Sequence, residues 1–375
     1  MIHVRLHTIP VALFATFVAV ASQRLHSNDF WAYYWAVTRA QTDPAAVYAP
    51  IPLDAFGGSV PPFVYAPPAI LLLWPFAWFQ PEAAAWFLFA ASVSLGGVMA
   101  FGILPRLLSS LGVREVVVAP LVVSTFLNYP FYATLILGQI NVVVGFLLLT
   151  FYVLHRRSRA FGSAACLALA IALKLFPAVL LVPLVLCRRF REAAIVVCLV
   201  TLMVVATMMV LPMRLWADWF AHVVQPGGFG RALPTLAADL LRYNVSINGT
   251  LMRILGATAL TATLSILSGA IMLALSVRHQ PARAVLSPLA VAGVALVTFC
   301  AAPISWVHHL AMVIPLVAVA LPACATPLLW VVPYAVLCFK WDWSWGTMML
   351  FGVAPPTIGA IVLWLRMVSV QRHSS

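Results

Sequence analysis

Apolar runs rich in leucine, alanine and valine follow one another along almost the whole of this sequence, separated only by short polar breaks. A chain built this way cannot close on itself in water. Of its 375 residues 64% are hydrophobic and only 8% charged, too few polar groups to cover a globule of that length. The runs are also too long and continuous for the short alternating strands of a membrane barrel. The expected fold class is an all-α integral membrane protein, one multi-spanning domain over residues 1–375 with no soluble domain and no low-complexity linker. Its size permits about ten crossings.

The net charge of +12 raises the question of nucleic acid. The basic residues, however, stand in small clusters between apolar segments: Arg156, Arg157 and Arg159; Arg188, Arg189 and Arg191; Arg278 and Arg283; Arg366 and Arg372. No basic face remains to bind a polyanion, so nucleic acid is excluded as a partner, and the clusters read as cytoplasmic anchors. Cys166, Cys187, Cys198, Cys300, Cys324 and Cys338 lie in or beside apolar runs without CxxC spacing, so neither a disulfide framework nor a zinc site is expected.

The anchors set an expected topology. Residues 8–22 leave the cytoplasm and residues 23–62 form a long outer loop with Asp29, Asp43 and Asp54. Ala19–Ala21 also resembles a signal-peptide cleavage site, and Asp29 is outside under either reading. Residues 63–79, interrupted by Pro67, Pro68 and Pro75, fit the charge pattern as a re-entrant element, since a full crossing would carry Arg106 and Arg114 outside. Segments 83–104, 115–128 and 140–154 then run inward, outward and inward. Residues 160–187 lie between two Arg clusters and are too few for two ordinary spans, so a short hairpin with Lys174 and Pro177 at its tip is expected. Segment 192–212 leads to a second outer loop, 213–250, whose aromatics, glycines, Arg214, Arg231 and Arg242 suit an interfacial platform. Segments 251–275, 284–302, 310–325, 327–339 and 346–365 complete the chain.

Against this background a few polar residues stand out. Asn28–Ala36, NDFWAYYWA, places a carboxylate and large aromatics just past the first apolar segment, and Ser305–Leu310, SWVHHL, places His308 and His309 at the mouth of another. Ionisable groups at membrane depth cost about 2.5–3.5 kcal/mol each on insertion scales, so their default reading is functional. For Asp29 the bland alternative is a helix N-cap, provided by Asn28 or Asp29. The aromatics Trp31, Tyr33, Tyr34 and Trp35 suit either a pyranose-binding surface or an interfacial belt. Lys174 needs an anionic partner: a lipid phosphate, Asp29 or a helix C-terminus. Gln139 and Asn141 suit either sugar hydroxyls or helix-to-helix hydrogen bonds.

The ordered series DFWAYYWA, VYAP, the FVYAPPAILLLWPF run, GQINVVVGFLLL, ALKLFPAVLL, NVSINGTLMRIL and SWVHHL resembles glycosyltransferase family 87, over residues 28–315. That family comprises multi-spanning enzymes of the GT-C fold and includes polyprenyl-phosphate-mannose-dependent mannosyltransferases. The resemblance implies a polytopic bundle of about ten to thirteen membrane helices, short re-entrant ones among them, with a long first outer loop. It implies an inverting, metal-independent transfer of a sugar, most often mannose, from a polyprenyl-phosphate donor to a lipid or glycan acceptor. The reaction would take place at the periplasmic face of a bacterial inner membrane, among membrane lipids and without a cofactor.

Such a transfer needs a base for the acceptor hydroxyl and donors for the departing phosphate. By resemblance, Asp29 is the base and His308, His309 and Arg253 hold the phosphate, with Lys174 a further phosphate candidate from its depth at the hairpin tip. Tyr33, Tyr34, Gln139, Asn141 and Asn248 are then assigned to the sugar or acceptor. The sequons at Asn244 and Asn248 fall within the family-like stretch and read as coincidental. No DxD pair is present to hold a nucleotide sugar and its metal, in agreement with a lipid-phosphate donor. A transporter or flippase is the competing class, with breaks near Pro67 and Pro177 as gates. The polar outliers gather at one face and no internal repeat is seen, which favours the enzyme.

Overall fold

A computed structural model describes residues 2–52, 60–231, 243–282, 284–323, 328–340 and 353–373. Asp54, Arg242, Arg283 and Cys324 lie outside the described residues. The helices are, in chain order, α1 (Ile2–Ser22), α2 (Asn28–Arg39), α3 (Pro67–Leu73), α4 (Pro81–Gly97), α5 (Leu104–Ser110), α6 (Glu115–Phe126), α7 (Tyr129–Leu137), α8 (Asn141–Arg156) and α9 (Ala160–Leu173). They continue with α10 (Leu181–Leu186), α11 (Phe190–Val210), α12 (Arg214–Trp219), α13 (Ile247–Leu255), α14 (Ala259–Val277), α15 (Pro288–Cys300), α16 (Leu310–Ala320), α17 (Leu328–Cys338) and α18 (Pro355–His373). No strand occurs among the described residues.

Among the described residues four stretches are long and apolar enough to cross a bilayer, 81–110, 115–137, 190–210 and 259–277, and seven shorter apolar helices accompany them. The chain is a polytopic helical membrane protein. Its core is formed by α15 and α16, in which every residue from Leu289 to Cys300 and from Leu310 to Ala320 is buried, so both helices are apolar all round. Helices α8 and α9 pack on each other antiparallel, and α8 lies against α16. Gly145 permits that approach, because a Cβ there would stand 3.0 Å from the Met312 backbone.

Helix α8 has 16 residues and α9 has 14, about 24 and 21 Å at 1.5 Å per residue, whereas α11 has 21 residues and reaches about 31 Å. Asn141 begins α8 and Lys174 follows α9, so both stand at one end of this pair. The tight turn between α8 and α9 carries Arg156, Arg157 and Arg159 at the other end, and Leu286 N donates to His155 Nε2 there at 3.1 Å, bringing the Arg278 region alongside.

Several expectations are refined. The run 63–79 becomes α3 followed by a 3₁₀ turn, 12 helical residues in all over Pro67–Trp78, about 18 Å and too short for a hydrocarbon layer of about 30 Å. Residues 160–187 form the short hairpin, with Lys174 extended at its tip. Helix α7 has no counterpart among the expected segments; it starts because Asn128 Oδ1 accepts from Phe131 N at 2.9 Å and Pro130 favours a first turn. The segment 251–275 divides into α13 and α14, since Gly256 ends one helix and the Thr258 hydroxyl caps the next. The final helix runs from Pro355 to His373, further along than 346–365, and encloses Arg366 and Arg372.

Candidate active site

The site is built around an elbow. Helix α7 ends at Gly138, whose φ of +68° places it in the left-handed region and whose N–H returns to the Leu135 carbonyl. Gln139 N donates to Thr134 O at 2.9 Å and α8 begins two residues later at Asn141. The carbonyl of Ile136 accepts from both His26 N and Ser27 N, which clamps the α1–α2 connection onto this elbow. A Cβ on Gly138 would fall 2.7 Å from Phe30 Cβ. Gly138→Ala combines that clash with a left-handed backbone, which itself costs about 1–2 kcal/mol. The expected result is a melting temperature in detergent several degrees lower, measured by following unfolding of the purified variant.

Asp29 does not cap α2. Ser27 occupies the N-cap position and makes no side-chain cap bond. The buried residues of α2 are Asp29, Phe30, Ala32, Tyr33, Ala36 and Val37, and Asp29, Tyr33, Ala36 and Val37 among them repeat at helical spacing, which turns the carboxylate inward. There Gln139 Nε2 donates to Asp29 Oδ2 at 2.6 Å. The opposite end of the same amide, Gln139 Oε1, faces the hydroxyls of Tyr33 at 2.8 Å and Tyr65 at 3.2 Å, which lie 2.8 Å from each other. Helix α2 lies outside the apolar spans. Burial raises the Asp29 carboxyl from 3.8 to about 6, opposed by the Gln139 hydrogen bond and the nearby Lys174.

The other side of the elbow serves Lys174. Its Nζ donates to Asn141 Oδ1 at 2.6 Å and stands 5.5 Å from the centre of the Tyr65 ring. Its hydrogen-bond partner within the protein is thus an amide, in place of Asp29 or a helix C-terminus. Asn141 Nδ2 donates to the His308 carbonyl at 3.0 Å, and Thr134 Oγ1 donates to the same carbonyl at 3.1 Å. The His308 and His309 rings pack edge to face at 4.9 Å. His309 Nδ1 accepts from Trp306 N at 3.4 Å, whereas His308 Nε2 is buried with no hydrogen-bond partner among the described residues.

Asp29, Tyr33, Gln139, Asn141, Lys174, His308 and His309 therefore belong to one connected cluster. Three other sequence candidates sit differently. Tyr34 OH donates to the Phe79 carbonyl, bracing α2 from its other face. Asn248 is held within the structure: its Oδ1 accepts from Gly230 N at 2.9 Å and its Nδ2 donates to the Pro303 carbonyl at 2.9 Å. Arg253 Nη1 donates to the Asn244 carbonyl at 2.7 Å and Nη2 to Thr250 Oγ1 at 3.2 Å. Asn244 itself grips Pro303 O and Ser305 N, so the NVSINGTLMR stretch shapes the turn that delivers the histidines.

Tyr65 and Thr134 were not singled out from sequence. Tyr65 stands in the quoted FVYAPPAILLLWPF run, where an aromatic before paired prolines was the available signal. Thr134 lies in an apolar helix and gives none. A lateral apolar groove of about 1170 Å³, bordered by α6 and α17 and including Leu121, Tyr132 and Tyr334, shares no residue with the cluster.

Comparison with known proteins agrees with this architecture. A curated relative, the polyprenol-phosphate-mannose-dependent alpha-(1-2)-phosphatidylinositol mannoside mannosyltransferase of Mycobacterium tuberculosis, is 29% identical over 276 residues, 69% of this chain and 61% of the relative. The match thus spans rather less than two thirds of that protein's length. The sequence model of glycosyltransferase family 87 matches residues 63–303, well over half of the chain, and this chain belongs to that family.

Proposed function

We propose that this protein transfers a sugar, mannose first among the candidates, from a polyprenyl-phosphate donor to a lipid or glycan acceptor. The observation that carries the reading is the presence, in one buried cluster, of a carboxylate with an oxygen free among the described residues and an amine whose remaining N–H groups have no acceptor among them. The unpartnered His308 Nε2 beside them adds a further polar group for the phosphate.

In the proposed step the acceptor oxygen attacks the anomeric carbon as its proton passes to Asp29 Oδ1. The bond from that carbon to the phosphate oxygen breaks, and polyprenyl phosphate leaves carrying the electron pair. Lys174 and His308 receive the developing phosphate charge. The other buried carboxylate among the described residues, Glu192, is bound to His155 at the opposite end of α8. With Asp29 as base, the proposed transfer is a single displacement with inversion. The family membership and the relative's donor support the substrate class.

The direct test is incubation of the purified protein with labelled polyprenyl-phosphate mannose and a membrane lipid extract. Label should move to a new product, and retention of all label on the donor would refute the reading.

The site end is assigned to the periplasmic face of an inner membrane, because the arginine turns lie at the other end. Cysteine placed at exposed Gln225 should react with an impermeant thiol reagent in intact cells, whereas one at exposed Ser158 should not. The reverse pattern would put the site in the cytoplasm. Ser59 and Ser344, also suited to this mapping by sequence, lie outside the described residues.

A further inference from the structure

The two amides of the GQIN elbow face opposite ways. Gln139 reaches Asp29 and Asn141 reaches Lys174, each within 2.6 Å. Each is oriented from behind. Gln139 Oε1 is placed as an acceptor by two phenol hydroxyls, and turning the amide over would press its oxygen against the carboxylate. Asn141 Nδ2 is placed as a donor by the His308 carbonyl, which leaves Oδ1 for the amine. A carboxylate and an amine buried in one cluster would be expected to collapse into an ion pair. Asp29 and Lys174 form no ion pair with N···O within 4.0 Å.

We propose that Gln139 and Asn141 are positioning residues that hold Asp29 and Lys174 apart, leaving a carboxylate oxygen free for the acceptor proton and amine N–H groups free for the donor phosphate. This assigns Gln139 and Asn141 to the protein's own acid and amine in place of the sugar, and it rests on the reading given above. The Tyr33 and Tyr65 hydroxyls extend the arrangement, since burial keeps both phenols protonated and so able to donate. The titratable groups facing Asp29 are Tyr33 on its own helix, Tyr65 before α3 and Lys174 after α9, with His308 and His309 behind the lysine.

The two amides have opposite effects on the carboxyl, and this makes the test selective. Gln139→Met removes a hydrogen bond to the ionised form while Asn141 still holds the lysine, so Asp29 should protonate at higher pH, by about one pH unit or more. Asn141→Leu releases the lysine to approach a carboxylate still held by Gln139, so Asp29 should protonate at lower pH. Infrared titration of the carboxyl band, identified by its loss in Asp29→Asn, reads both shifts in substrate-free protein. It therefore stands whether or not transfer is detected, and absence of transfer in the wild type would refute the functional reading alone.

In the transfer assay Gln139→Met should lower kcat with donor and acceptor KM within about threefold, and its acid limb should move with the infrared midpoint. If Gln139→Met fails to fold, the Tyr33→Phe, Tyr65→Phe double variant frees the same amide and should shift the midpoint in the same direction. Unchanged midpoints, or a raised acceptor KM at constant kcat, would overturn the proposal and return the amides to the sugar.

Discussion

Asp29→Asn should reduce transfer at least a hundredfold and leave donor binding nearly unchanged. The amide keeps the size of the side chain and can still meet Gln139, but it cannot take a proton from the acceptor hydroxyl, a contribution of about a hundredfold to ten-thousandfold for a positioned base. Turnover within tenfold of wild type would remove Asp29 from the chemistry. The pH profile gives the same assignment from another side. A base works only when ionised, and burial has raised this carboxyl to about 6. The acid limb of kcat/KM should therefore rise through about pH 6, and at pH 5 about nine tenths of the activity should be absent. A limb near pH 4, as for a solvated aspartate, would contradict the buried placement.

Loss of donor affinity is the second large expected effect. Lys174→Met removes the buried amine whose free N–H groups suit a phosphate, and His308→Ala removes the ring with the unpartnered nitrogen. Each should weaken binding of polyprenyl-phosphate mannose about tenfold to a hundredfold, measured on the purified variant, the range expected for one charge-assisted contact in a water-poor site. His309→Ala should weaken it no more than about threefold, because Nδ1 of that ring is turned back onto the Trp306 amide. If Lys174→Met lowered only the yield of folded protein and the survivors bound donor normally, the lysine would be structural. Equal losses at His308 and His309 would assign the phosphate to both rings.

Much of this protein is legible along the chain, and the reason is the membrane itself. In hydrocarbon every backbone group needs an internal partner, so apolar length dictates helix and charge clusters dictate ends. The hairpin tipped by Lys174, the broken run at Pro67–Trp78 and the isolation of Asp29 and the histidines all follow from that one-dimensional record. Boundaries were less legible. Helix α7 depends on an Asn128 cap and the division of α13 from α14 on Gly256, local polar details that an apolar count passes over.

Partnership between distant residues was decided only in three dimensions. The sequence named Asp29, Lys174, Gln139, Asn141 and His308 as candidates, yet left Gln139 and Asn141 between a sugar and helix-to-helix hydrogen bonds, and Lys174 among a lipid phosphate, Asp29 and a helix C-terminus. The fold brings Gln139 to Asp29 across 110 positions and Asn141 to Lys174 across 33. It also adds Tyr65 and Thr134, and turns Tyr34 and Asn248 toward the scaffold. An amide has the same composition whether it meets a sugar or a carboxylate. Which one it meets depends on the path of α7 into α8, fixed by a left-handed glycine and a clamp from α2, and a hydrophobic pattern carries no trace of that direction.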